Sequence, residues 1–331
     1  MLPTRGWMEP RPEKEREPDK KSSSTSDPAD EVRKRVAMLC TRNGVTLVNA
    51  SFLRRKLPKD KRTMCLRGSM KDGTPVAVVI KMGYATDAVA ANEANCLRLL
   101  QHCPAVVRLH DSEVLHGLGT LLMLQEWLDD GAGHSHIAML RDGAEALAAT
   151  HMAGLVHFDV KWSALRWSVV RRRFVLCDYD LATTISNAHS MTSGEGPGTT
   201  VWRAPESDDL DDDGLTPAVD VYGLGIAVSD ASYRAGLPHC GPPAVCDIVV
   251  RMTSKRPWNR PTADEVWSLA EWELEQEEQK GQEEQKGRKE QKVPAQRTAA
   301  RSSQRPHQQA GAKVIMPHVT NENLPPNLLR G

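Results

Sequence analysis

No stretch of this chain is apolar for the roughly 20 residues that a bilayer-spanning helix needs. The N-terminus is charged and Pro-rich and lacks the apolar core of a signal peptide. Both absences predict a protein off the membrane and inside the cell, cytoplasmic or nuclear. Net charge is missing too: 43 Lys and Arg balance 43 Asp and Glu. That removes the usual long-range attraction for nucleic acid. The seven cysteines are odd in number and include no Cys-x-x-Cys pair, which predicts free thiols in a reducing compartment. His239, Cys240 and Cys246 lack a fourth ligand at a usual metal-binding spacing. Oligomeric state is not specified by any of these features.

What is present is ordinary globular composition, 40% hydrophobic and 26% charged. Residues 1–28 are too polar to bury a core, which predicts disorder. Asp27-Pro28 then reads as a helix start, and residues 29–43 as a short amphipathic helix leading into the fold. Strands are expected over Thr46 to Phe52, Thr63 to Met70 and Thr74 to Lys81, with a hairpin turn at Lys71-Asp72-Gly73. A helix follows over Thr86 to Leu100, with Val89, Glu93, Cys96, Leu97 and Leu100 on one face. Strands are expected again over Val106 to His110 and Thr120 to Trp127, then a helix over Ile137 to Met152.

The next stretch carries the chemistry. Asp159 and Asp178 stand 19 residues apart, each beside a short strand-like run, and Lys161 follows the first. Phosphoryl transfer needs one carboxylate to orient the attacking hydroxyl, another to hold Mg²⁺, and a Lys against the moving phosphate. Thr183 to Pro197 reads as a mobile loop and Asp208 to Asp213 as an acidic one. Helices are expected over Pro217 to Ala231 and Val245 to Thr253, and a capping box at Thr262 and Glu265 opens a last one. From 275 to 331 the chain is a charged repeat and a polar tail, predicted to be disordered toward its end.

Taken together, residues 44–274 resemble the eukaryotic protein kinase family. Val78-Val79-Ile80-Lys81, Gln125-Glu126-Trp127-Leu128, His157-Phe158-Asp159-Val160-Lys161, Asp178-Tyr179-Asp180 and Gly198 through Glu206 occur in the family's order. The resemblance implies an α+β fold of two lobes, a small antiparallel β lobe with one helix and a larger helical lobe. It implies ATP as cofactor, with Lys81 on the phosphates, Glu93 pairing Lys81, Val79 over the adenine, and the Glu126 and Leu128 backbone along it. Gln125 becomes the gatekeeper at the back of that pocket. Asp159, Lys161 and Thr199 become the catalytic set, with Asp178 on the metal. Glu206, Asp220 and Arg260 take structural roles. Lys161 and Thr199 together resemble the Ser/Thr branch.

The departures are as specific. Ala164 replaces a metal-binding Asn, so one Mg²⁺ or Mn²⁺ is expected rather than two; Ser163 beside it is expected to point elsewhere. Leu53 to Arg62 is bulky and basic where the family has a Gly-rich phosphate loop. Phe158 replaces an Arg that receives an activating phosphate. Asp180 replaces a Gly; Asp tolerates the left-handed conformation better than most residues, so the loop is expected to form but to switch less easily. The implied function is an atypical protein serine/threonine kinase of low activity. The alternatives are a pseudokinase acting as a nucleotide- or protein-binding scaffold and, more remotely, a small-molecule phosphotransferase. The expected partner is a protein, either substrate or scaffold ligand.

Overall fold

Asp27 opens the first helix by accepting the Ala29 N–H at 3.0 Å, and Pro28 supplies a first-turn residue with no N–H to satisfy. The resulting helix α1 spans Pro28–Arg42 and buries Val32, Val36, Leu39 and Cys40. The coordinates are a computed structural model that describes residues 27–49, 63–191, 196–208, 214–237 and 240–291, with side chains through 286. The expectations for the N-terminal segment, the basic stretch after Phe52, most of the acidic loop, His239 and the C-terminal tail lie outside the described residues.

Five strands form one antiparallel sheet: β1 (Thr46–Leu47), β2 (Thr63–Ser69), β3 (Pro75–Met82), β4 (Leu109–Leu115) and β5 (Thr120–Glu126). Their order is β1-β2-β3-β5-β4. Successive side chains alternate faces, and β3 uses both. Val76, Val78 and Ile80 join the α1 side chains in one core cluster. Ala77, Val79 and Lys81 face the cleft on the other side. Helix α2 (Asp87–Leu100), capped by Thr86, packs across the cleft face.

The helical lobe is built from α3 (His136–Met152), α5 (Ala218–Arg234), α6 (Pro243–Met252) and the start of α7 (Ala263–Gln291), with a short α4 (Ile185–His189). Between its helices run β6 (Leu128–Asp129), β7 (Leu155–Val156), β8 (Leu165–Ser168), β9 (Arg173–Leu176) and β10 (Thr183–Thr184). Helix α5 is apolar nearly all round and sits in the core, as such a helix must. The capping box is made: the Thr262 N–H donates to Glu265 Oε2 at 2.7 Å and the Glu265 N–H to Thr262 Oγ1 at 3.2 Å. The two-lobed α+β class follows. The chain divides after Glu277 into two units, and the second is described only over 278–291, helical and exposed through 286.

Several local expectations are corrected. The first strand is only Thr46–Leu47 within the described residues. The strand expected at Val106 starts at Leu109, because Val106 makes only an isolated parallel bridge to Leu176. Val89 is exposed, and Ala90 and Ala94 complete the buried face of α2 instead. Thr183 to Pro197 is not structureless: β10 pairs with β7, and α4 follows it.

Candidate active site

β7 delivers His157 to Lys161 to the mouth of the cleft, and Asp220 of α5 fixes their backbone. Its carboxylate accepts the His157 and Phe158 N–H groups, each at 2.8 Å, and faces His151 Nε2 at 3.0 Å. His157 Nε2 donates to the Cys177 carbonyl at 3.1 Å, while Nδ1 accepts the Asp159 N–H at 3.2 Å. That pattern needs the neutral ring. Burial enforces it by lowering the His157 pKa, against the pull of nearby carboxylates.

Phe158 is held at φ 68°, a conformation that costs a bulky residue energy. Its ring is buried with Val156, Ala188, Ala204, Leu215 and Val219, so an apolar plug stands where the family has a phosphate-receiving Arg. Gly198 passes so close that a Cβ there would lie 2.4 Å from the Phe158 carbonyl oxygen. The stretch from Gly198 to Glu206, which the resemblance makes the end of an activation segment, is thereby brought onto Asp159. Thr199 donates to Asp159 Oδ1 from its N–H at 3.0 Å and its hydroxyl at 2.6 Å. Lys161 pairs with Asp159 Oδ2 and donates to Thr199 Oγ1 at 3.0 Å. The three expected catalytic residues therefore form one hydrogen-bonded set.

A second set lies deeper. Lys81 Nζ is 2.7 Å from Glu93 Oε2 and 2.6 Å from Asp178 Oδ1, with Asp180 Oδ1 at 3.0 Å. The Tyr84 hydroxyl also donates to Asp180, at 2.7 Å. Burial disfavours the Lys81 ammonium, but the three carboxylates outweigh it and raise its pKa. Burial also works to raise Asp178, and Lys81 holds it below the usual carboxylate range. With three carboxylates around one ammonium, burial pushes Glu93 up to about 8. Asp178, not Asp180, takes the left-handed conformation, at φ 70°. Asp180 lies instead in the 3-10 turn Tyr179–Leu181, which aims its carboxylate at Lys81. That second acid on Lys81 was not read from the sequence, and a Gly-to-Asp change beside Asp178 was its only signal.

Oxygens of Glu93, Asp178 and Asp180 lie within 4.8 Å of one another. Such a hard donor set fits Mg²⁺ or Mn²⁺. Ala164, buried at the end of the Trp162–Ala164 turn before β8, has no side-chain oxygen to offer.

Between the two lobes lies a cleft of about 390 Å³ whose lining includes Val79, Lys81, Gln125, Leu128 and Arg166, a size usual for small-ligand sites. Glu126 lines it as well, but its carboxylate is engaged by Arg171 and the Arg108 N–H, below the hinge formed by Gln125 to Leu128. Ser163 also lines the cleft, contrary to expectation, because Trp162–Ala164 is a 3-10 turn rather than regular extended chain. A larger hollow of about 760 Å³ lies among α3, α5 and α7. Its walls are mainly apolar and hold none of Lys81, Glu93 or Asp178, all of which line the smaller cleft.

Remote from the cleft, Arg260 is bidentate on Glu206, at 2.5 and 2.7 Å, and also donates to the Ala218 carbonyl at 3.0 Å. The Arg lies over the Tyr222 ring, 4.9 Å from its centroid. This pair ties the end of the activation segment to the start of α5.

Two lobes closed on an ion-paired Lys and an Asp-Lys-Thr set define the protein-kinase-like class. The family model for the protein kinase domain matches residues 76–237. The chain is 29% identical over 218 residues to serine/threonine-protein kinase PkaA of Streptomyces coelicolor, covering 60% of this chain and 39% of that protein. It is 35% identical over 95 residues to serine/threonine-protein kinase PknL of Mycobacterium tuberculosis, covering 29% and 23%. The chain thus spans well under half the length of these relatives. It carries a divergent serine/threonine protein-kinase-like domain of the protein kinase family. Among the described residues no helix is long and apolar enough to cross a membrane.

Proposed function

We propose that this domain transfers the terminal phosphoryl group of a nucleoside triphosphate to a Ser or Thr hydroxyl of a protein. The observation that carries the reading is the Asp159-Lys161-Thr199 set. Asp159 already accepts a hydroxyl, that of Thr199, at 2.6 Å, and a substrate hydroxyl asks for the same interaction. In the reaction, a bond forms between the substrate oxygen and the γ-phosphorus. The bond from that phosphorus to the β–γ bridging oxygen breaks, and the hydroxyl proton passes to Asp159. Lys161 neutralises charge on the moving phosphoryl group, and Lys81, steadied by Glu93, does so on the phosphates left behind. Bound at Asp178, a divalent cation supplies further charge neutralisation; Glu93 and Asp180 flank that position. Residues 44–274 are taken as the working domain.

The test is incubation with γ-labelled nucleotide, Mg²⁺ or Mn²⁺ and a generic protein substrate, then phosphoamino-acid analysis. Label on Ser or Thr is the expected result; label on neither rejects the reading. A scaffold function without catalysis is favoured by a different observation, the buried methyl group of Ala164 where the resemblance places a metal-binding Asn. A thermal shift with nucleotide and either metal distinguishes a nucleotide-binding scaffold from one that binds protein alone.

A further inference from the structure

The hinge half of the cleft holds a cation with nothing to match it. Strand alternation sends Leu165 of β8 into the core and turns the next residue, Arg166, to the opposite face. There Arg166 lines the cleft together with Val79 and Leu128. It is only partly exposed. Among the described residues it makes no hydrogen bond or ion pair. On its far side it borders a second hollow containing Asp129 and Asp130, neither of which pairs with it. Its guanidinium acts on both lobes: burial raises the thiols of Cys65 on β2 and Cys177 after β9, and Arg166 opposes that rise in each. The other cation of the cleft, Lys81, already faces three carboxylates.

Gln125 is the second under-used polar group. It is 7% exposed, and its Nε2 donates only to the Met123 thioether, at 3.4 Å. Sulfur is a weak acceptor, so most of the amide's capacity is left for a ligand. Gln125 and Arg166 line the same cleft as the apolar Ala77, Val79 and Leu128, and a few polar groups in a largely apolar slot set specificity.

The chemistry of these groups discriminates between purines. A guanidinium only donates hydrogen bonds. Adenine places its 6-amino donor beside N7, so one of the two edge atoms is mismatched. Guanine places two acceptors, O6 and N7, side by side, and a guanidinium fork matches both. Guanine also offers an N1–H that a Gln carbonyl can accept. We infer that Arg166, with Gln125, makes the cleft select a 6-keto purine, so that GTP binds in preference to ATP. This inference rests on the nucleotide-binding reading above and names the nucleotide.

Equilibrium titration of the full chain with GTP and ATP, each with Mg²⁺, tests it on the natural protein, Arg166→Leu and Arg166→Lys. The natural protein is expected to bind GTP at least ~10-fold more tightly, as one bidentate pair allows. Arg166→Leu is expected to reverse the preference, and Arg166→Lys, which keeps the charge and donors without the planar fork, to weaken it. ATP binding as tight as GTP binding in the natural protein, or a ratio unchanged in a folded variant, overturns the inference. Binding of ATP by Arg166→Leu alone means that Arg166 blocks the cleft; the inference then fails while the nucleotide site stands. Binding of neither nucleotide by any form overturns both.

Discussion

His157 works from complete burial, and the Asp159 N–H that its Nδ1 accepts requires the neutral ring. The unfolded chain protonates this ring near pH 6.5, whereas the folded chain resists until the pH is lower. Below 6.5 the unfolded state therefore binds more protons. The stability contributed by keeping the ring neutral is complete above that pH and is lost as pH falls toward the folded value. Urea unfolding at pH 7.5 and 5.5 is expected to show a loss on acidification that is shallower in His157→Phe. Equal slopes would mean that His157 is not held neutral. At this scale the sequence was most informative where a residue's role depends on its type. Asp159, Lys81 and Glu93 meet their expected partners. It was least informative for Asp180 and Arg166, whose roles depend on where a backbone turn or a strand face aims a side chain.

Helix α5 is the element on which the loop from His157 to Lys161 stands. Asp220 satisfies two loop amides, and one turn on Gly223 lets the loop backbone approach. A Cβ at Gly223 would lie 2.7 Å from the Val160 carbonyl oxygen, a backbone atom that cannot turn aside. Gly223→Ala is therefore expected to cost about 1–3 kcal/mol, as overpacking does, and to lower phosphotransfer more than nucleotide affinity. Denaturant unfolding beside a binding titration checks both. Elements whose apolar period was clean, among them α2, α3, α5 and the hairpin of β2 and β3, were legible in the sequence. Those that exist only through long-range pairing were not. β10 needs β7, and the segment from Val106 is drawn toward Leu176 rather than into the sheet, so the local pattern overstated one strand and missed the other.

Across the whole domain, the Glu206–Arg260 pair joins the activation segment to α5 and the loop before α7 over 54 residues of sequence. Removing one partner of a buried, bidentate pair leaves its counterpart unmatched, at a cost of about 3–5 kcal/mol. Arg260→Leu is expected to lower Tm by roughly 10 °C, with Arg260→Lys intermediate because it keeps charge but loses the fork. A shift of under a degree in Arg260→Leu would remove the pair from the account. The two-lobed plan was legible because several short motifs keep one order along the chain, and order survives where single motifs diverge. The lining of the cleft proposed to hold the nucleotide was not legible, since it is assembled from β2, β3, the hinge and β8.

In the proposed reaction Asp159 acts on the phosphoryl-transfer step, in a cleft that binds nucleotide independently of it. One measurement reaches it directly: nucleotide–Mg²⁺ affinity and the rate of phosphate transfer to a protein substrate, recorded on the natural protein and Asp159→Asn side by side. The account predicts affinities within about 3-fold and a transfer rate lower by about 100-fold or more in the variant. Equal transfer by both proteins, or nucleotide binding with no transfer by the natural protein, would contradict it.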